Sequence, residues 1–353
     1  MRVLVINPGG TSTKIAVFEN EVELFKHSFI HSQEDLAPFA KVFLQVPYRK
    51  KLILDELKTR GFDLKDFAAV SGRGGLFKPI AGGTYEVNEA MIKDVKDEIN
   101  GEHASNIGCA LASEIAKEIG ARAFVTDPVS VDELIDIARI TGIKELEKTS
   151  WFHALNQKAV SREIAKSFNK SYEQCNFIVA HLGSGLSIVA HEKGKMIDGS
   201  GGRTDGPFSP ERSGGLLTYP LVELCYSGQF TREEMVDKLS FTGGFYAYLG
   251  TKDMQEIEAK VLAGDKECSL IWGAFIYQVA KEIASYSASL KGKIDAIILT
   301  GGIAHSKLAV EQISSYVGFL APIRVLAGEL EMSALALGAL RVLTGLEAAK
   351  EYK

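Results

Sequence analysis

Residues 7–14 have the sequence Asn-Pro-Gly-Gly-Thr-Ser-Thr-Lys and lie between two short runs rich in β-branched residues, 3–6 and 15–18. Such runs indicate strands, so we predict that the stretch is the turn of a β-hairpin. Glycine lets backbone N–H groups approach an anion closely, and the hydroxyls and the lysine add donors. A Walker A or dinucleotide-binding loop would open into a helix, which the alternation after residue 14 does not indicate. The stretch is therefore a candidate phosphate-binding hairpin, with an ordinary hairpin as the alternative.

The composition is that of a globular protein. The chain has 353 residues, a net charge of −5 and 46% hydrophobic residues, which is enough for two domains with full cores. No cluster of basic residues interleaved with aromatic residues is present, so nucleic acid is not expected as a partner. The four cysteines are far apart and indicate neither a zinc site nor a disulfide framework. Without a leader or an apolar run of about 20 residues, the chain is expected in the cytoplasm and not in a membrane.

The hairpin opens a pattern of elements that occurs twice. In the first half we predict strands at 2–7, 14–19, 23–30, 67–71 and 121–126, with helices near 34–58, 88–100 and 130–140. In the second half we predict strands at 177–182, 186–191, 195–198, 295–299 and 323–326, with helices near 214–227, 269–290, 307–316 and 331–344. The repetition indicates two similar α/β units whose glycine turns face one cleft, because open α/β sheets bind ligands beyond their strand ends. The first domain is expected to span 1–145 together with the last helix, about 332–353, and the second to span 146–331.

Two further glycine turns follow strands in the second half. The stretch 181–185, His-Leu-Gly-Ser-Gly, leads into another strand and is a second candidate phosphate loop; a tight hairpin with a structural histidine is the alternative. Gly301 and Gly302 end a strand before a helix that Ser306 is predicted to cap. Backbone without side chains can approach a planar ring closely, which suits an adenosine pocket, although a plain strand-to-helix turn would have the same sequence.

Two arginines and one histidine are candidates for binding an anion. Arg73 follows a predicted strand within Gly-Arg-Gly-Gly, and Arg212 repeats the arrangement in the second half within Glu-Arg-Ser-Gly. A guanidinium with nothing bulky beside it can donate a forked pair of hydrogen bonds to a carboxylate or a phosphate. The alternative for each arginine is a solvated surface side chain. His153 lies in an aromatic stretch just before a helix, where a histidine packed in the core is the alternative.

Three carboxylates are candidates for metal or proton chemistry. Asp127 follows a predicted strand, where it would hold Mg²⁺ on phosphates or act as a general base, unless it only caps the turn at Pro128. Glu329 and Glu331 precede the last helix, where an acidic residue is commonly only a cap.

Seven stretches, taken in order, resemble the acetate and butyrate kinase family, also called the acetokinase family. They are 7–14, 72–75, 124–127, 152–153, 181–185, 212–214 and 300–303. The resemblance covers nearly the whole chain and is strongest to the butyrate kinases. It implies an α/β fold of two duplicated ribonuclease-H-like domains of the actin, sugar kinase and Hsp70 superfamily, with ATP in the cleft between them. It also implies reversible phosphoryl transfer between ATP and a short-chain carboxylate, giving ADP and an acyl phosphate, with Mg²⁺ as cofactor and at least a homodimer as the assembly.

The resemblance also implies roles for individual residues. Arg73, His153 and Arg212 match the residues that hold the transferred phosphoryl group. Asn7, Asp127 and Glu331 match the magnesium region. The residues that match the nucleotide site are Asn7, Gly9, Gly10, Ser12 and Lys14 in the first loop, His181, Gly183, Ser184 and Gly185 in the second, Asp253 near the nucleotide, and Gly301 and Gly302 at the adenosine turn.

One departure from the family pattern concerns the substrate. Gly74 and Gly75 stand where acetate kinases carry branched residues beside the reactive arginine. Their loss is expected to leave room for a longer acyl chain, which favours butyrate; acetate, propionate and isobutyrate are the alternative substrates. A second departure is Gln255, which replaces an arginine that the family has near the nucleotide.

Two other functions stay open within the same superfamily. A kinase of alcohols or sugars would need a general base such as Asp127. A regulator switched by ATP would bind nucleotide without turning over a small molecule, and it would need a further domain for which the chain has no spare residues.

Overall fold

The computed structural model describes residues 1–201 and 205–353, which form two compact units. Unit 1 comprises residues 1–132, 154–159 and 330–353, and unit 2 comprises residues 133–153 and 160–329. Each unit contains its own β-sheet. The C-terminal segment belongs to the same unit as the N-terminal hairpin.

The secondary structure alternates between short strands and helices. The strands are β1 (Arg2–Pro8), β2 (Ser12–Glu19), β3 (Val22–Ile30), β4 (Phe67–Gly72), β5 (Thr84–Glu86), β6 (Arg122–Thr126), β7 (Asn176–Leu182), β8 (Leu186–Glu192), β9 (Lys195–Gly201), β10 (Ala296–Gly301) and β11 (Ile323–Ala327). The helices are α1 (Gln33–Leu36), α2 (Val46–Thr59), α3 (Glu89–Lys96), α4 (Ile107–Ile119), α5 (Asp136–Arg139), α6 (Ala154–Ser167), α7 (Thr218–Tyr226), α8 (Arg232–Ser240), α9 (Gly244–Leu249), α10 (Met254–Leu262), α11 (Lys266–Ser289), α12 (Lys307–Val317) and α13 (Glu331–Leu343). Short 3₁₀ turns lie at 42–45, 64–66, 104–106, 172–174 and 302–305.

The two sheets share one topology. The sheet of unit 1 has the order β3-β2-β1-β4-β6-β5, and the sheet of unit 2 has the order β11-β10-β7-β8-β9. In each, the first three strands pair antiparallel, and the first strand then pairs parallel with a later one, β4 or β10. Apart from the additional edge strand β5 in unit 1, the two sheets have the same strand order, which confirms the predicted internal repeat.

Residues 3–6 of β1 are all apolar, although successive side chains of a strand point to opposite faces of the sheet. Val3 and Val5 face one side of the sheet, where they pack in a cluster with Leu335 of α13. Leu4 and Ile6 face the other side, where the core includes residues of α2 and α4. Helices cover both faces of this strand, so neither set of side chains can be polar.

The sheet of unit 2 is covered by helices in a similar way. Ile178 and Ala180 of β7 belong to the largest apolar cluster, together with Trp272 and Phe275 of α11. These side chains are all buried. The long helix α11 therefore stabilises the strand that leads into the second glycine loop.

Two predicted helices are shorter than expected. The predicted helical region 34–58 contains α1, a 3₁₀ turn and α2, because Pro38 cannot continue α1 and Pro47 is tolerated only in the first turn of α2. The region 130–140 contains only the single turn α5. Val131 forms a parallel bridge with Ile80, and this bridge keeps the chain extended before α5.

Several elements were not predicted. Residues 107–113 of helix α4 are all buried, and its exposed polar residues, Glu114, Lys117 and Glu118, lie only in its second half, so the first two turns have no polar face to reveal a helical period. Strand β5 is three residues long. The short helices α8, α9 and α10 in unit 2 were also not predicted.

Across the described residues, every helix is too short or too polar to span a lipid bilayer.

Candidate active site

The stretch 7–14 is a β-hairpin, as predicted. Strands β1 and β2 pair with Asn7 opposite Lys14 and Pro8 opposite Thr13, and the Gly9 N–H donates to the Ser12 carbonyl at 2.7 Å. Lys14 is exposed beside the turn. The hairpin therefore presents an exposed turn with one lysine beside it.

Gly10, at the tip of this turn, leaves the backbone open to a ligand and is not required by the backbone conformation. Its φ lies outside the left-handed range, so the turn itself does not demand glycine. Nothing lies within 4 Å of the position that a Cβ would occupy there. The residue is exposed, so a ligand could approach the backbone at this point without meeting a side chain.

Asn7, Arg73 and Glu331 form one hydrogen-bonded cluster in unit 1. The Asn7 amide nitrogen donates to Glu331 Oε2 at 2.9 Å, and Arg73 Nη1 donates to the same oxygen at 2.7 Å. Arg73 Nη1 also donates to Asn7 Oδ1 at 3.3 Å. The arginine side chain keeps 31% of its surface exposed while the carboxylate keeps 15%. The structure thus joins a predicted phosphoryl-binding residue to two residues predicted for the metal.

Strand β4 and helix α4 fix the backbone of Arg73. Arg73 follows the last residue of β4, and its N–H donates to the Ile6 carbonyl at 2.9 Å. A Cβ on Gly108 at the start of α4 would overlap the Arg73 carbonyl. A glycine at position 108 is therefore needed for the helix to pack directly against the arginine.

The expected space beside Gly74 and Gly75 is absent. A Cβ on Gly74 would lie 2.6 Å from Val125 Cγ1 and 3.0 Å from Phe77 Cε2, and one on Gly75 would lie 2.5 Å from Asn106 Cα. Both glycines are buried. The prediction of a widened acyl pocket at this position is wrong, because the protein's own atoms fill the volume that the branched side chains would occupy.

Asp127 is buried at the end of β6. Its Oδ1 accepts a hydrogen bond of 2.7 Å from the Gly83 N–H, and its φ of 39° is left-handed, which aspartate tolerates better than most residues. Among residues 1–201 and 205–353, no group of three or more His, Cys, Asp or Glu side chains is arranged as a metal site. The metal role of Asp127 remains a prediction.

Unit 2 repeats the hairpin at the second glycine loop. Strands β7 and β8 pair with His181 opposite Ser187 and Leu182 opposite Leu186, so residues 183–185 form a tight turn. Ser184 is exposed, while Gly185 is buried. The prediction of a second hairpin at this position is confirmed.

Two histidines stack above this hairpin. The rings of His153 and His181 lie parallel, with centroids 3.9 Å apart and an interplanar angle of 10°. His153 Nδ1 is 2.8 Å from Ser187 Oγ, and this bond fixes the plane of the ring. His181 Nε2 lies 3.6 Å from Glu329 Oε1. His153 and His181, which were predicted for different roles, therefore form a single stacked pair. Glu329 contacts His181 of this pair, whereas Glu331 contacts Arg73.

Arg212 lies directly against the second glycine loop. A Cβ on Gly185 would be 2.5 Å from Arg212 Nη1 and 3.0 Å from its Cζ. Ser209 also connects Arg212 to this loop. Its Oγ donates to the Ser184 carbonyl at 2.6 Å and accepts from the Arg212 N–H at 3.1 Å. Gly185 is therefore required for the packing of the guanidinium.

Gly185→Ala is expected to lower kcat by about tenfold or more, because an added methyl group would push the Arg212 guanidinium out of its position. The fold should survive, since the clash is with the end of a flexible side chain. Steady-state kinetics and the melting temperature measure the two effects. Gly273→Ala in α11 is the control, because a Cβ at that position meets nothing within 4 Å. Equal kcat in both variants would contradict this packing argument.

The predicted adenosine turn follows β10. Gly301 has a φ of 88°, and a Cβ there would overlap the Leu182 carbonyl. Gly302 is exposed with open space in place of a side chain, and Ser306 caps α12 as predicted. Asp253 caps α10 by accepting from the N–H groups of Gln255 and Glu256. The nucleotide roles of these residues remain predictions.

Three residues at these loops were not predicted. Ser187 could have been found, because a tight turn at 183–185 places it opposite His181. Ser209 comes from an irregular loop, and nothing in the sequence indicates where that loop runs. Arg49 binds the first hairpin from α2, forty positions along the chain from Gly9.

Comparison with known proteins identifies the family. The model of the acetokinase family matches residues 144–321. Butyrate kinase 2 of Clostridium acetobutylicum is 50% identical over 353 residues, which cover all of this chain and 99% of that protein. This protein belongs to the acetokinase family.

Solved structures agree with the fold. Acetate kinase from Porphyromonas gingivalis superposes with a TM-score of 0.80 at 18% identity, covering 97% of this chain and 99% of that one. A propionate kinase from Francisella tularensis gives a TM-score of 0.77 at 22% identity, covering 96% and 98%. These likenesses, together with the matching strand order of the two sheets, confirm the predicted fold of two duplicated α/β domains.

Proposed function

We propose that this protein transfers a phosphoryl group reversibly between ATP and butyrate, giving butyryl phosphate and ADP. The observation that carries the choice of substrate is the 50% identity along the whole chain to a butyrate kinase. The filled volume around Gly74 and Gly75 means that these glycines do not support it. Acetate, propionate and isobutyrate are the alternative substrates.

The reaction needs charge neutralisation and not a base. A carboxylate oxygen attacks the γ-phosphorus, and the bond from that phosphorus to the bridging oxygen breaks, with its electron pair leaving on ADP. Because the carboxylate is already ionised, no proton has to be removed. Arg73 and Arg212 would bind the oxygens of the moving group, and His153 would donate a hydrogen bond to them. Two contacts support this assignment: Arg73 contacts Asn7, just before the first glycine turn, and Arg212 packs against Gly185 of the second.

The donor set near Arg73 is suited to Mg²⁺ bound together with phosphates. Magnesium is usually held by one or two carboxylates, with substrate phosphates and water as its other ligands. Glu331 and the Asn7 amide supply oxygens of this kind, with Asp127 as a further candidate. The ion would neutralise charge on ATP, and the turns 9–12, 183–185 and 301–302 would hold the nucleotide.

The rival function, a kinase of alcohols or sugars, requires a base that can reach the substrate. Asp127 is 1% exposed and accepts a hydrogen bond from the Gly83 N–H. A carboxylate in this environment is poorly placed to take a proton from a hydroxyl group. This burial favours the carboxylate kinase.

We also propose a homodimer or a larger homo-oligomer in the reducing cytoplasm. Helix α7 supports the assembly, because none of its residues is buried, and Tyr219 and Tyr226 are 78% and 88% exposed. Large exposed apolar side chains that cluster on one helix are typical of association surfaces. Light scattering of the purified protein measures the number of subunits.

The test of the proposed activity is ADP formation from Mg-ATP with acetate, propionate, butyrate, isobutyrate or glycerol. Hydroxylamine in the same reactions traps any acyl phosphate as a hydroxamate. Butyrate is expected to give the highest kcat/KM, with ADP and hydroxamate formed in equal amounts.

Two results would contradict the proposal in different ways. A higher kcat/KM with acetate would keep carboxylate phosphorylation and change the substrate. Turnover with glycerol alone, or with no substrate, would overturn carboxylate phosphorylation.

A further inference from the structure

Arg49 of α2 holds the first glycine turn from behind. Its Nη1 donates hydrogen bonds of 2.9 Å to the carbonyl oxygens of Gly9 and Ser12 and to the Thr13 hydroxyl. Its Nη2 donates to the Gly10 carbonyl at 3.2 Å. The residue is 1% exposed. One buried side chain thus binds three carbonyl oxygens of the candidate phosphate loop.

The positive charge of Arg49 has no anionic partner in the described parts of the chain. Its remaining hydrogen bonds go to the neutral Gln45 amide oxygen, at 3.0 Å from Nε and 2.7 Å from Nη2. Burial lowers the pKa of the Arg49 guanidinium, but arginine stays protonated at neutral pH. Burial, and after it the Arg49 charge, also lower the pKa of His31, which is 2.8 Å from the Thr13 hydroxyl. A buried cation without an anion is costly, so a bound anion at the turn would compensate it.

The hydrogen bonds of Arg49 also fix the direction of backbone donors. The peptide unit is planar and trans, so its C=O and N–H groups are antiparallel. With the Gly9 and Gly10 carbonyls bound to Arg49, the N–H groups of Gly10 and Thr11 point away from it. Both residues are exposed. The hydrogen bonds from Arg49, which we call the clamp, therefore direct two backbone N–H donors outward at the tip of the hairpin.

We propose that Arg49 is a positioning residue for nucleotide binding: it presets the turn 9–12 and supplies the uncompensated positive charge that attracts the terminal phosphates of ATP or ADP. The inference rests on the proposed function, because it takes the ligand of the hairpin to be a nucleotide. Arg49 itself stays behind the turn and does not touch the ligand.

Two substitutions separate the clamp from the charge. Arg49→Lys keeps the charge but replaces the planar fork with one ammonium nitrogen, which cannot reproduce hydrogen bonds that Arg49 donates from three separate nitrogens. Gln45→Glu keeps an acceptor for Nε and Nη2 but cancels the charge with a carboxylate. Arg60→Lys, at the end of the same helix in an exposed ion pair with Glu56, is the matched control.

The first readout is equilibrium binding of Mg-ADP by calorimetry, with melting temperature as the check on folding. Each of the two variants is expected to raise the Kd for Mg-ADP by about tenfold or more. Arg49→Lys loses charge-assisted hydrogen bonds to the turn, and in Gln45→Glu the new carboxylate offsets the positive charge that attracts the phosphates. In turnover, KM for ATP should rise by a similar factor while KM for the carboxylate changes less than about twofold. Gln45→Glu should not lower the melting temperature, because it gives the buried guanidinium a counter-charge.

Several outcomes would overturn the inference. One is a wild-type Kd for Mg-ADP in both folded variants. Another is an equal rise in KM for ATP and KM for the carboxylate together with a lower melting temperature, which would make Arg49 a purely structural residue. Acyl phosphate formation by the wild-type protein is measured separately, so a protein that binds Mg-ADP but phosphorylates no carboxylate would refute the proposed function without affecting the comparison of Kd values.

Discussion

Arg212→Ala is expected to lower kcat by at least about a hundredfold while leaving the fold intact. Removal of one preorganised donor to a developing negative charge costs about 3 to 4 kcal/mol of transition-state stabilisation. The backbone around Arg212 should not change, because its N–H and carbonyl are both bound to Ser209 through atoms that the substitution keeps. Initial rates of ADP formation at saturating ATP and carboxylate measure the effect.

The control is Arg232→Ala in the same unit. Arg232 is the first residue of α8, and its side chain is 83% exposed in an ion pair with Glu233. Its removal is expected to leave kcat unchanged, since exposed pairs contribute little. If Arg212→Ala had the turnover of the control, Arg212 would not belong to the active site.

The hairpins and the repeat could be predicted because their signals are local. At 7–14 and 181–185, strand residues change to glycine and hydroxyl residues over a few positions, and the pairing of the flanking strands follows from the length of the turn. The order of elements in each half then determined the sheet topology. Arg73 and Arg212 were proposed by the same reasoning, since both follow a recognisable sequence feature, and their roles remain predictions.

The packing around these residues could not be predicted in the same way. The sequence shows that position 74 is glycine, but whether the missing side chain leaves a cavity depends on Val125 and Phe77, which are distant in the chain. The role of Gly185 likewise depends on Arg212. Arg49 was missed for the same reason, because an arginine in an ordinary helix gives no sign that it is buried.

Helix α4 shows a different limit. Helical periodicity is detected by contrast between apolar and polar faces, and in α4 this contrast appears only in the second half, since residues 107–113 are all buried. Its position matters for the site, since its first turn packs against the Arg73 backbone through Gly108. An element that the sequence pattern hides is thus one of those that fix a proposed catalytic side chain.

Glu331→Gln is expected to lower kcat by about tenfold or more and to raise the Mg²⁺ concentration needed for half-maximal rate by about 10- to 100-fold. The substitution keeps the size of the side chain but removes the charge that Arg73 contacts at 2.7 Å and the carboxylate proposed to bind the metal. A Mg²⁺ titration of initial rate at fixed ATP separates the two effects. A lower kcat with an unchanged Mg²⁺ requirement would mean that Glu331 orients Arg73 and does not bind the metal.

Glu89→Gln is the matched control in unit 1. Glu89 is the first residue of α3 as Glu331 is the first residue of α13, so both substitutions remove the same favourable interaction with a helix N-terminus, about 0.3 to 1 kcal/mol. Subtracting the effect of the control on the melting temperature leaves the contribution of the contacts with Asn7 and Arg73. Unchanged kcat and an unchanged Mg²⁺ requirement in Glu331→Gln would remove Glu331 from the site, because a carboxylate that binds either the metal or the arginine must alter one of them.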